Sequence, residues 1–431
     1  MSSEKYTKIM AARAETREKR KSQRCRVFEL KVKKKALKPE QKEHLNMMFV
    51  ESKWCYNYLL ALMNAKQIDI FDYKQKDLVD ITHKDKDGND VQVHLNYLTS
   101  SYRLSLIEKM RSQLKTLRTL KRKGKKVGRM KFKSQYNSIN LKQLGITHKF
   151  IGNSRIQIQG VKRPITVSGL DQFDKYGSDY EITTMNLVKR DDDFYFYVSV
   201  FYNEPKEQKI YKNEKIGIDF GCETSLTLSD GTKINALVEE TEKLKSLKKR
   251  RSKTTKFSNN HRRLSKKIHK EYRRISNIKN DKANKIVKKL LDENELIVIQ
   301  DEQLQTWKKK HGKKVQHGIL GRVKSNLVRH PEQVVVMNRF VPTTKFCRDC
   351  GNNHKDIQLY DRTFVCPVCG VVYDRDIHAA QNMVWLYDNM KDYIGLGKSE
   401  FKRVEFDEEV ARIIAQWDSR TMKHEDATPL A

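Results

Sequence analysis

The sequence predicts a multidomain α+β protein. The N-terminal half is predicted to form a β-barrel interrupted by a helical insertion, and the C-terminal half an α/β domain with an inserted four-cysteine ribbon. Three observations support this prediction: short alternating strands that resume after a helical segment, apolar strands that alternate with basic helices, and two C-x-x-C pairs. A chain of 431 residues is long enough for two or three domains.

The chain carries a large excess of positive charge. Lys and Arg number 88 against 54 Asp and Glu, which gives a formal net charge of +34. An excess of this size indicates a polyanionic partner and argues against a small-molecule metabolic enzyme, whose surface normally mixes both signs. Hydrophobic residues make up 38% of the chain, which is enough to build cores at this length, so the charges belong to folded domains.

The sequence contains no apolar run of the ~18 residues that predict a membrane span, and the polar, basic residues 1–21 do not form a secretory signal. Four of the seven cysteines form two pairs, a pattern typical of a metal site in a reducing compartment. We therefore expect a cytosolic, nucleic-acid-handling protein with no membrane partner. A basic peripheral membrane protein is the weaker alternative, because the charge is spread along most of the chain.

The N-terminal half predicts strands on both sides of a helical insertion. Short alternating strands cover residues 24–32, 155–159, 180–184 and 194–200. Helical spacing covers residues 40–66 and 97–122, with a hairpin or loop at residues 84–90 between them. The basic run at residues 121–126 predicts phosphate contacts, with a solvated loop as the alternative.

The C-terminal half predicts alternating strands and helices. A strand-turn-strand pattern covers residues 215–229, and apolar strands follow at residues 295–299 and 333–337. A long basic helical region covers residues 238–291. It either exposes a solvated face or forms a helical hairpin along a nucleic-acid backbone.

The cysteine pairs have the spacing of a closed zinc site. Two pairs separated by fifteen residues place four thiolates around one Zn²⁺, and these are Cys347, Cys350, Cys366 and Cys369. Glycines Gly351 and Gly370 follow each pair and allow the tight turns that aim N–H groups at sulfur. Because four thiolates fill the coordination sphere, the zinc is structural. The remaining cysteines are predicted to be buried fillers, and these are Cys25, Cys55 and Cys222.

Acidic residues stand at strand ends and at a helix start, where α/β folds collect ligand-binding groups. They are Asp219 after the first apolar strand, Asp301 and Glu302 after the second, and Asp374 and Asp376 before a helix. Three converging carboxylates supply the oxygen ligands that two Mg²⁺ ions, about 4 Å apart, need for hydrolysis of a phosphodiester.

Together these motifs resemble the nuclease half of TnpB, the transposon-encoded RNA-guided DNA endonucleases related to the compact type V CRISPR effectors. The motifs are I-G-I-D-F-G, I-V-I-x-D-E, C-x-x-C-G twice, and D-R-D-x-x-A-A-x-N, over residues 211–390. The N-terminal half matches only in layout. The resemblance implies an RNase H-like α/β (RuvC) nuclease domain with the zinc ribbon inserted.

The resemblance also implies a division of the chain into segments. They are a basic N-terminal arm at residues 1–23, a wedge β-barrel at 24–36 and 128–208, a helical recognition insertion at 37–127, a RuvC-like nuclease domain at 209–343 and 371–392, a zinc ribbon at 344–370, and a C-terminal tail at 393–431.

In the family, the first catalytic acid corresponds to Asp219, and the third corresponds to Asp376 rather than Asp374. The second, a glutamate directly after an apolar strand, would stand at position 300, where this chain has Gln300. Since strand side chains alternate, we expect Glu302 to face the same side as Gln300 and to replace the missing glutamate, rather than Asp301.

The resemblance implies an Mg²⁺-dependent RNA-guided DNA endonuclease of the prokaryotic cytosol or nucleoid, with a monomer favoured. It would bind a structured guide RNA, recognise a short flanking DNA motif and cleave target double-stranded DNA. Asp219, Glu302 and Asp376 would hold two Mg²⁺ ions. His378, where the family has Asn, is expected to be hydrogen-bonded near the site. The alternatives are a nuclease-weakened RNA-guided DNA-binding repressor and an RNA-independent zinc-ribbon DNA-binding protein.

Overall fold

The chain folds as two units, Met1–Lys206 and Glu207–Ala431, and each has its own hydrophobic core. The computed structural model describes residues 3–389, except for residues 86, 177–179, 204–209, 305, 308–311, 313–314 and 355–360. The last residues of the predicted barrel segment, 204–208, and the predicted tail at residues 393–431 lie outside the described residues. None of the helices in the described ranges is long and apolar enough to cross a membrane.

The N-terminal unit is organised by an antiparallel sheet of seven strands that curls into a nearly closed, barrel-like form. Across the sheet the strands are β4 (Ser138–Leu141), β8 (Tyr180–Arg190), β9 (Asp193–Tyr202), β1 (Arg24–Val32), β7 (Ile165–Ser168), β6 (Arg155–Ile158) and β5 (His148–Ile151). On β1, Phe28, Leu30 and Val32 are buried, because alternate side chains of a strand face the core. The sequence pattern does not predict β4, β5 and β7, which are only four residues long.

Helices flank this sheet. The basic arm is helix α1 (Ser3–Ser22), and the insertion between β1 and β4 contains α2 (Pro39–Asn64), α3 (Ser100–Arg122) and the hairpin of β2 (Asp80–Lys84) and β3 (Asp90–His94). The start of α2 follows from its sequence. Pro39 suits the first helical turn, and the side-chain carbonyl of Gln41 accepts a hydrogen bond from the Lys38 N–H at 3.0 Å.

A buried carboxylate fixes α2 against the segment that precedes α3. Glu51 is only 1% exposed, and its side chain accepts hydrogen bonds from the N–H groups of Asn96, Tyr97 and Leu98 at 2.8–3.0 Å. Burial raises the pKa of Glu51, although these three N–H donors act to lower it. The insertion is therefore joined internally by a polar contact as well as by apolar packing.

The C-terminal unit is organised by a mixed five-stranded sheet. Across the sheet the strands are β12 (Lys233–Ile234), β11 (Leu226–Leu228), β10 (Asn213–Phe220), β13 (Asn294–Gln300) and β14 (Val334–Met337). Strands β10, β13 and β14 are parallel, whereas β10, β11 and β12 are antiparallel neighbours. Strands β10 and β13 bury continuous apolar runs, as expected for parallel strands covered on both faces, whereas β14, at the edge of the sheet, leaves Val336 exposed.

The basic helical region of this unit is interrupted. Residues 238–291 were expected to be helical, with a helical hairpin as one of the alternatives, and the structure has two helices, α4 (Glu242–Ser252) and α5 (Asn259–Glu293), joined by a turn. The side chain of Ser258 begins α5 by accepting a hydrogen bond from the His261 N–H at 3.2 Å. The uniform basic composition hides this cap, so charge alone does not reveal the break.

Two further helices and a hairpin complete this unit. They are α6 (Leu320–Leu327), α7 (Arg375–Asn389), β15 (Thr363–Val365) and β16 (Val372–Asp374). The ribbon hairpin therefore continues to Asp374, past the boundary expected at residue 370. The expectation that the three cysteines outside the two C-x-x-C pairs are buried is wrong: Cys55 is buried, but Cys25 is exposed and Cys222 is partly exposed.

Candidate active site and metal centre

The four ribbon cysteines form a compact cluster. One sulfur from each of Cys347, Cys350, Cys366 and Cys369 lies within 4.8 Å of all the others. The Sγ atoms of Cys347 and Cys369 are 3.7 Å apart, and those of Cys350 and Cys366 are 3.5 Å apart. Tetrahedral Zn²⁺ with Zn–S bonds of about 2.3 Å requires sulfurs about 3.8 Å apart. The cluster therefore fits a structural zinc ion.

The backbone around the cysteines forms two matching turns. Gly351 donates its N–H to the Cys347 carbonyl and Gly370 donates to the Cys366 carbonyl, both at 2.9 Å, and both glycines have φ near +75°. Only glycine adopts this conformation without strain. Burial alone would raise the pKa of Cys366, but the N–H groups of Cys369 and Val368 outweigh it and lower the pKa to about 7. The second turn thus favours a thiolate at Cys366, the form that binds metal, whereas burial raises the pKa of Cys347 and of Cys350.

Three acidic side chains lie near one edge of the five-stranded sheet. Asp219 stands at the end of β10, and Glu302 lies just beyond β13, its parallel neighbour. Because the carboxyl ends of parallel strands share an edge, the topology brings these two together. Asp376 reaches the same place from the first turn of α7.

Helix α7 can lie close to β10 because residue 217 is a glycine. A Cβ atom on Gly217 would stand 1.9 Å from the carbonyl oxygen of Ala380 on α7, which is far inside van der Waals contact. The smallest residue is therefore required where the helix crosses the strand. Gly217 is two residues before Asp219, so this close approach sets the position of Asp376 relative to Asp219.

The electrostatics of Asp219 show that the carboxylates influence one another. Loss of hydration, followed by the charges of Asp376 and Glu302, raises the pKa of Asp219 to about 8, against a smaller lowering by Arg375. Burial likewise raises the pKa of Glu302. Mutually repelling carboxylates that resist ionisation are expected where a cation is to be bound.

Asp301 occupies a different environment from Glu302. It forms ion pairs with Lys324, at 2.9 Å, and with Arg339, and the Lys324 hydrogen bond lowers the pKa of Asp301. The charge of Glu302, rather than that of Asp301, raises the pKa of Asp219. The structure thus places Glu302, and not Asp301, beside Asp219.

The reason differs from the expected strand alternation. Strand β13 ends at Gln300, and the N–H of Glu302 donates to the Gln300 carbonyl at 2.8 Å, which closes a tight turn centred on Asp301. The Gln300 side chain is 4% exposed and donates to the carbonyls of Asn338 and Val341. Gln300 therefore anchors the loop after β14, while the turn redirects Glu302.

The two aspartates before α7 have distinct tasks. Asp374 caps the helix, because its carboxylate accepts hydrogen bonds from the N–H groups of Asp376 and Ile377, both at 3.1 Å. Asp376 instead pairs with Arg375 at 2.9 Å and with Arg362 at 3.6 Å. Asp374 is thus held in the helix cap, whereas the charge of Asp376 acts on Asp219.

The acidic residues do not form a single coordination group in this conformation. Among the residues that the structure describes, the four cysteines are the only set of three or more potential ligands whose atoms all lie within 4.8 Å. Asp219, Glu302 and Asp376 are within electrostatic range but farther apart than that. Arg375 neutralises Asp376 here, so metal binding by all three would require Asp376 to exchange this partner.

Helix α7 also connects the acidic site to the ribbon. His378 is fully buried, donates from Nε2 to the Phe346 carbonyl at 2.8 Å, and stacks between the rings of Phe364 and Tyr373. Asn382, one turn later, donates to the same carbonyl at 2.7 Å. The expectation of a hydrogen-bonded His378 near the site holds, but the sequence did not predict its ring stacking.

A cavity of about 580 Å³ lies next to the strand ends of the acidic site. Gly221 and Cys222, which follow β10, line one side, and Leu304 and Trp307, which follow Glu302, line another. The motifs do not predict this cavity, because most of its lining residues, Gly221 excepted, lie outside them.

Two family models match the segments that contain these residues. A model described as "Probable transposase" matches residues 197–310, and a model described as "Cas12f1-like, TNB domain" matches residues 321–383. The first segment holds Asp219 and Glu302, and the second holds the four cysteines and Asp376. These two segments are therefore similar to the transposase family and to the Cas12f1-like TNB family. The resemblance found in the motifs is confirmed.

Two curated proteins are similar to this chain over part of their length. A protein of Streptomyces pristinaespiralis, named as a candidate RNA-guided DNA endonuclease, is 29% identical over 47% of this chain and 52% of its own. Another of Escherichia coli (strain K12), InsQ, named in the same way, is 29% identical over 39% of this chain and 48% of its own. The chain thus spans about half the length of the curated relatives it matches.

A solved structure, a Cas12f1–sgRNA–target DNA complex, also shows similarity. It has 13% sequence identity and a TM-score of 0.47, and the match covers 80% of this chain and 83% of that one.

Proposed function

We propose that the chain is an RNA-guided DNA endonuclease that cleaves target DNA by metal-dependent phosphodiester hydrolysis. The observation that carries this proposal is the convergence of Asp219, Glu302 and Asp376 from two parallel strands and a helix. Loss of hydration and the charges of the other two carboxylates raise the pKa of Asp219 to about 8. Such a group suits an RNase H-like (RuvC) nuclease. The similarity of residues 197–310 and 321–383 to the two family models and the excess of positive charge support it.

Asp219, Glu302 and Asp376 are the residues that would hold two Mg²⁺ ions. When bound, the ions would polarise the phosphodiester and activate water. The chain itself orients these ligands: Gly217 lets α7 approach β10, Asp374 fixes the start of α7, and Lys324 holds the turn that carries Glu302 by donating to its carbonyl at 2.8 Å. Arg375 neutralises Asp376 until a cation replaces it.

The ribbon would hold one structural Zn²⁺ through its four cysteines. His378 and Asn382 of α7 donate hydrogen bonds to the carbonyl of Phe346, next to the ribbon cysteine Cys347. Loss of zinc would therefore disturb the position of α7 and of Asp376 on its first turn. Metal analysis of the purified chain should find about one zinc per chain. Cys366→Ser should lose this zinc, whereas Cys25→Ser, at an exposed cysteine outside the cluster, should keep it. A protein without zinc contradicts this assignment.

The segments proposed from the family layout supply the nucleic-acid contacts. The wedge barrel at residues 24–36 and 128–208 and the recognition insertion at 37–127 would bind a structured guide RNA and a short DNA motif beside the target. The nuclease domain at residues 209–343 and 371–392, with its ribbon at 344–370, would cut the target. A monomer in the prokaryotic cytosol or nucleoid fits these roles.

The deciding experiment compares Asp374 and Asp376, two aspartates that stand two residues apart and have different contacts. The full chain is purified with its co-expressed guide RNA and incubated with matching double-stranded DNA, with Mg²⁺ or with EDTA. Asp376→Asn should abolish cleavage, because it removes a metal ligand. Asp374→Asn should retain cleavage within a few-fold, because asparagine caps a helix about as well as aspartate. Cleavage that survives both EDTA and Asp376→Asn contradicts the proposed function.

One alternative has its own supporting observation. Gln300 stands where the family has a glutamate, and Arg375 pairs with Asp376, so a nuclease-weakened RNA-guided repressor is the second candidate. The same experiment separates the two. If the unmutated, guide-loaded chain binds target DNA tightly but never cuts it with Mg²⁺, the repressor is the correct function.

A further inference from the structure

The turn between α4 and α5 lies within the most uniformly basic stretch of the C-terminal unit. Residues 243–270 contain 13 Lys and Arg and no Asp or Glu. Acids outside this stretch pair with Lys243, Lys245 and Lys248, and these three lysines lie on α4 away from the turn. The exposed cations nearest the turn are Arg250, Lys253, Lys256 and Arg262. A stretch of this kind attracts phosphates.

The turn holds an aromatic side chain in a strained and exposed position. The Ser258 N–H donates to the Thr255 carbonyl at 3.2 Å, which closes a four-residue turn with Phe257 in third place. Phe257 has a φ of +65°, the value that a type II turn requires there and that glycine supplies without cost. The Phe257 side chain is 78% exposed. A bulky residue rarely occupies this backbone region unless something else favours it.

The folding of this unit does not account for Phe257. The base of the hairpin is a separate apolar cluster in which Leu244, Leu247, Leu264 and Ile268 are buried, and the turn lies beyond it. Glycine at position 257 would remove both the backbone strain and the exposed apolar surface. The packed helices therefore hold an aromatic ring out into solvent on a rigid support, among free positive charges.

We propose that Phe257 binds an unpaired nucleotide by stacking on its base, while the cations on either side of the turn bind phosphates of the same strand. Every base has a π-face that an aromatic ring can cover, and that face is free only where the base is unpaired. The basic flanks supply the charge complementarity that selects a nucleic acid as the occupant. This inference rests on the proposed function, in which the chain handles nucleic acid strands.

The test uses the full chain, freed of co-purified nucleic acid, and a single-stranded DNA that contains one fluorescent 2-aminopurine. A fully paired duplex of the same sequence is the second probe. Phe257→Gly should weaken single-strand binding by about 5- to 150-fold, the range for loss of one stacked base, and should relieve the quenching of 2-aminopurine. Phe257→Trp should retain both. Ile210→Ala, at a 97% exposed apolar side chain elsewhere in the unit, is the matched control and should change neither.

Thermal unfolding distinguishes stacking from a structural role. Phe257→Gly should unfold at the same temperature as the unmutated chain or higher, because glycine accepts the positive φ. The inference is overturned if Phe257→Gly binds the single strand within twofold of the unmutated chain, loses duplex binding equally, or unfolds at a lower temperature. If the unmutated chain binds neither probe, the proposed function fails together with this inference. If the unmutated chain binds and only the results expected for Phe257→Gly are absent, the inference alone fails.

Discussion

At the scale of single residues, the site shows how one changed side chain is accommodated. Gln300 cannot serve as an anionic ligand, and its amide instead ties the loop after β14 to the strand. The turn after Gln300 then directs Asp301 to Lys324 and Arg339 and leaves Glu302 beside Asp219. The acid is displaced by two residues, but its charge remains near the other two.

The first prediction separates the two acids that follow β13. Glu302→Gln should reduce the rate of Mg²⁺-dependent cleavage more than ~100-fold. Loss of a residue that only hydrogen-bonds to a metal ligand typically costs ~10- to 100-fold. Asp301→Asn should retain measurable cleavage, because Asp301 contacts Lys324 and Arg339 rather than the acidic site. Initial cleavage rates on a guide-matched target, with binding measured in parallel, provide the comparison. The reverse ranking of the two variants would identify Asp301 as the ligand.

The second prediction concerns the pH dependence of stability without metal. The folded pKa of Asp219 is about 8, above the value of about 3.9 in an unfolded chain, so ionisation disfavours the folded state. Below about pH 4 the carboxyl is protonated in both states, and Asp219 does not reduce the free energy of unfolding. As the pH rises from about 4 toward 8, Asp219 reduces the free energy of unfolding progressively. Asp219→Asn, which cannot ionise, should therefore gain stability relative to the unmutated chain across this window.

The difference between the two proteins isolates Asp219 from other titrating groups. In EDTA we expect Asp219→Asn to be more stable by about 1–3 kcal/mol at pH 8, after allowing for solvent screening, and by much less at pH 4. Denaturant unfolding at several pH values measures it. A constant difference between pH 4 and pH 8 would show that Asp219 is not perturbed.

At the scale of elements, patterns predict what depends on local chemistry. Four cysteines at closed-site spacing, with glycines behind them, predict the ribbon, and long periodic segments predict α2 and α3. The short strands β4 and β7 are not predicted, because they pair with β8 and β1, which are distant in sequence. Strand β5 pairs with the neighbouring β6, but its four residues are too few for a clear alternating pattern. The turn at Asp301 is missed for a similar reason: Lys324 and Arg339, both far along the chain, hold it.

The third prediction tests the close crossing of α7 over β10. Gly217→Ala should destabilise the protein by about 3 kcal/mol or more, because its Cβ would meet the backbone oxygen of Ala380, which cannot move aside as a side chain can. Thermal unfolding measures the loss, and cleavage should fall with it as Asp376 shifts.

A second glycine provides the control for this change. Gly321, in the first turn of α6, has nothing within 4 Å of the position of a Cβ, so Gly321→Ala should be neutral or slightly stabilising. If both variants unfold at the temperature of the unmutated chain, α7 does not depend on Gly217 for its position.

At the scale of the whole molecule, the net charge of +34 is not evenly available to a partner. Some exposed cations are already paired: on α5, Lys285, Lys288 and Lys289 each contact an acid four residues away. Others are exposed at an element's end, such as Lys121, Arg122 and Lys123 where α3 finishes. Composition predicts the class of partner, but only the contacts show which charges remain to bind it.

The fourth prediction turns this distinction into a measurement. Replacing Lys121, Arg122 and Lys123 together by Ala should reduce the magnitude of the slope of log K against log salt by about 2–3, because each phosphate contact contributes ~0.7–0.9. Replacing Lys285, Lys288 and Lys289 removes the same formal charge but mainly frees acids already paired with them, so the slope should change by less than about 1. Equilibrium binding to a labelled nucleic acid from 50 to ~200 mM salt covers the range in which counterion release is steep. Equal slopes for the two triple variants would mean that affinity follows net charge alone, and that the end of α3 is solvated surface rather than a phosphate-binding site.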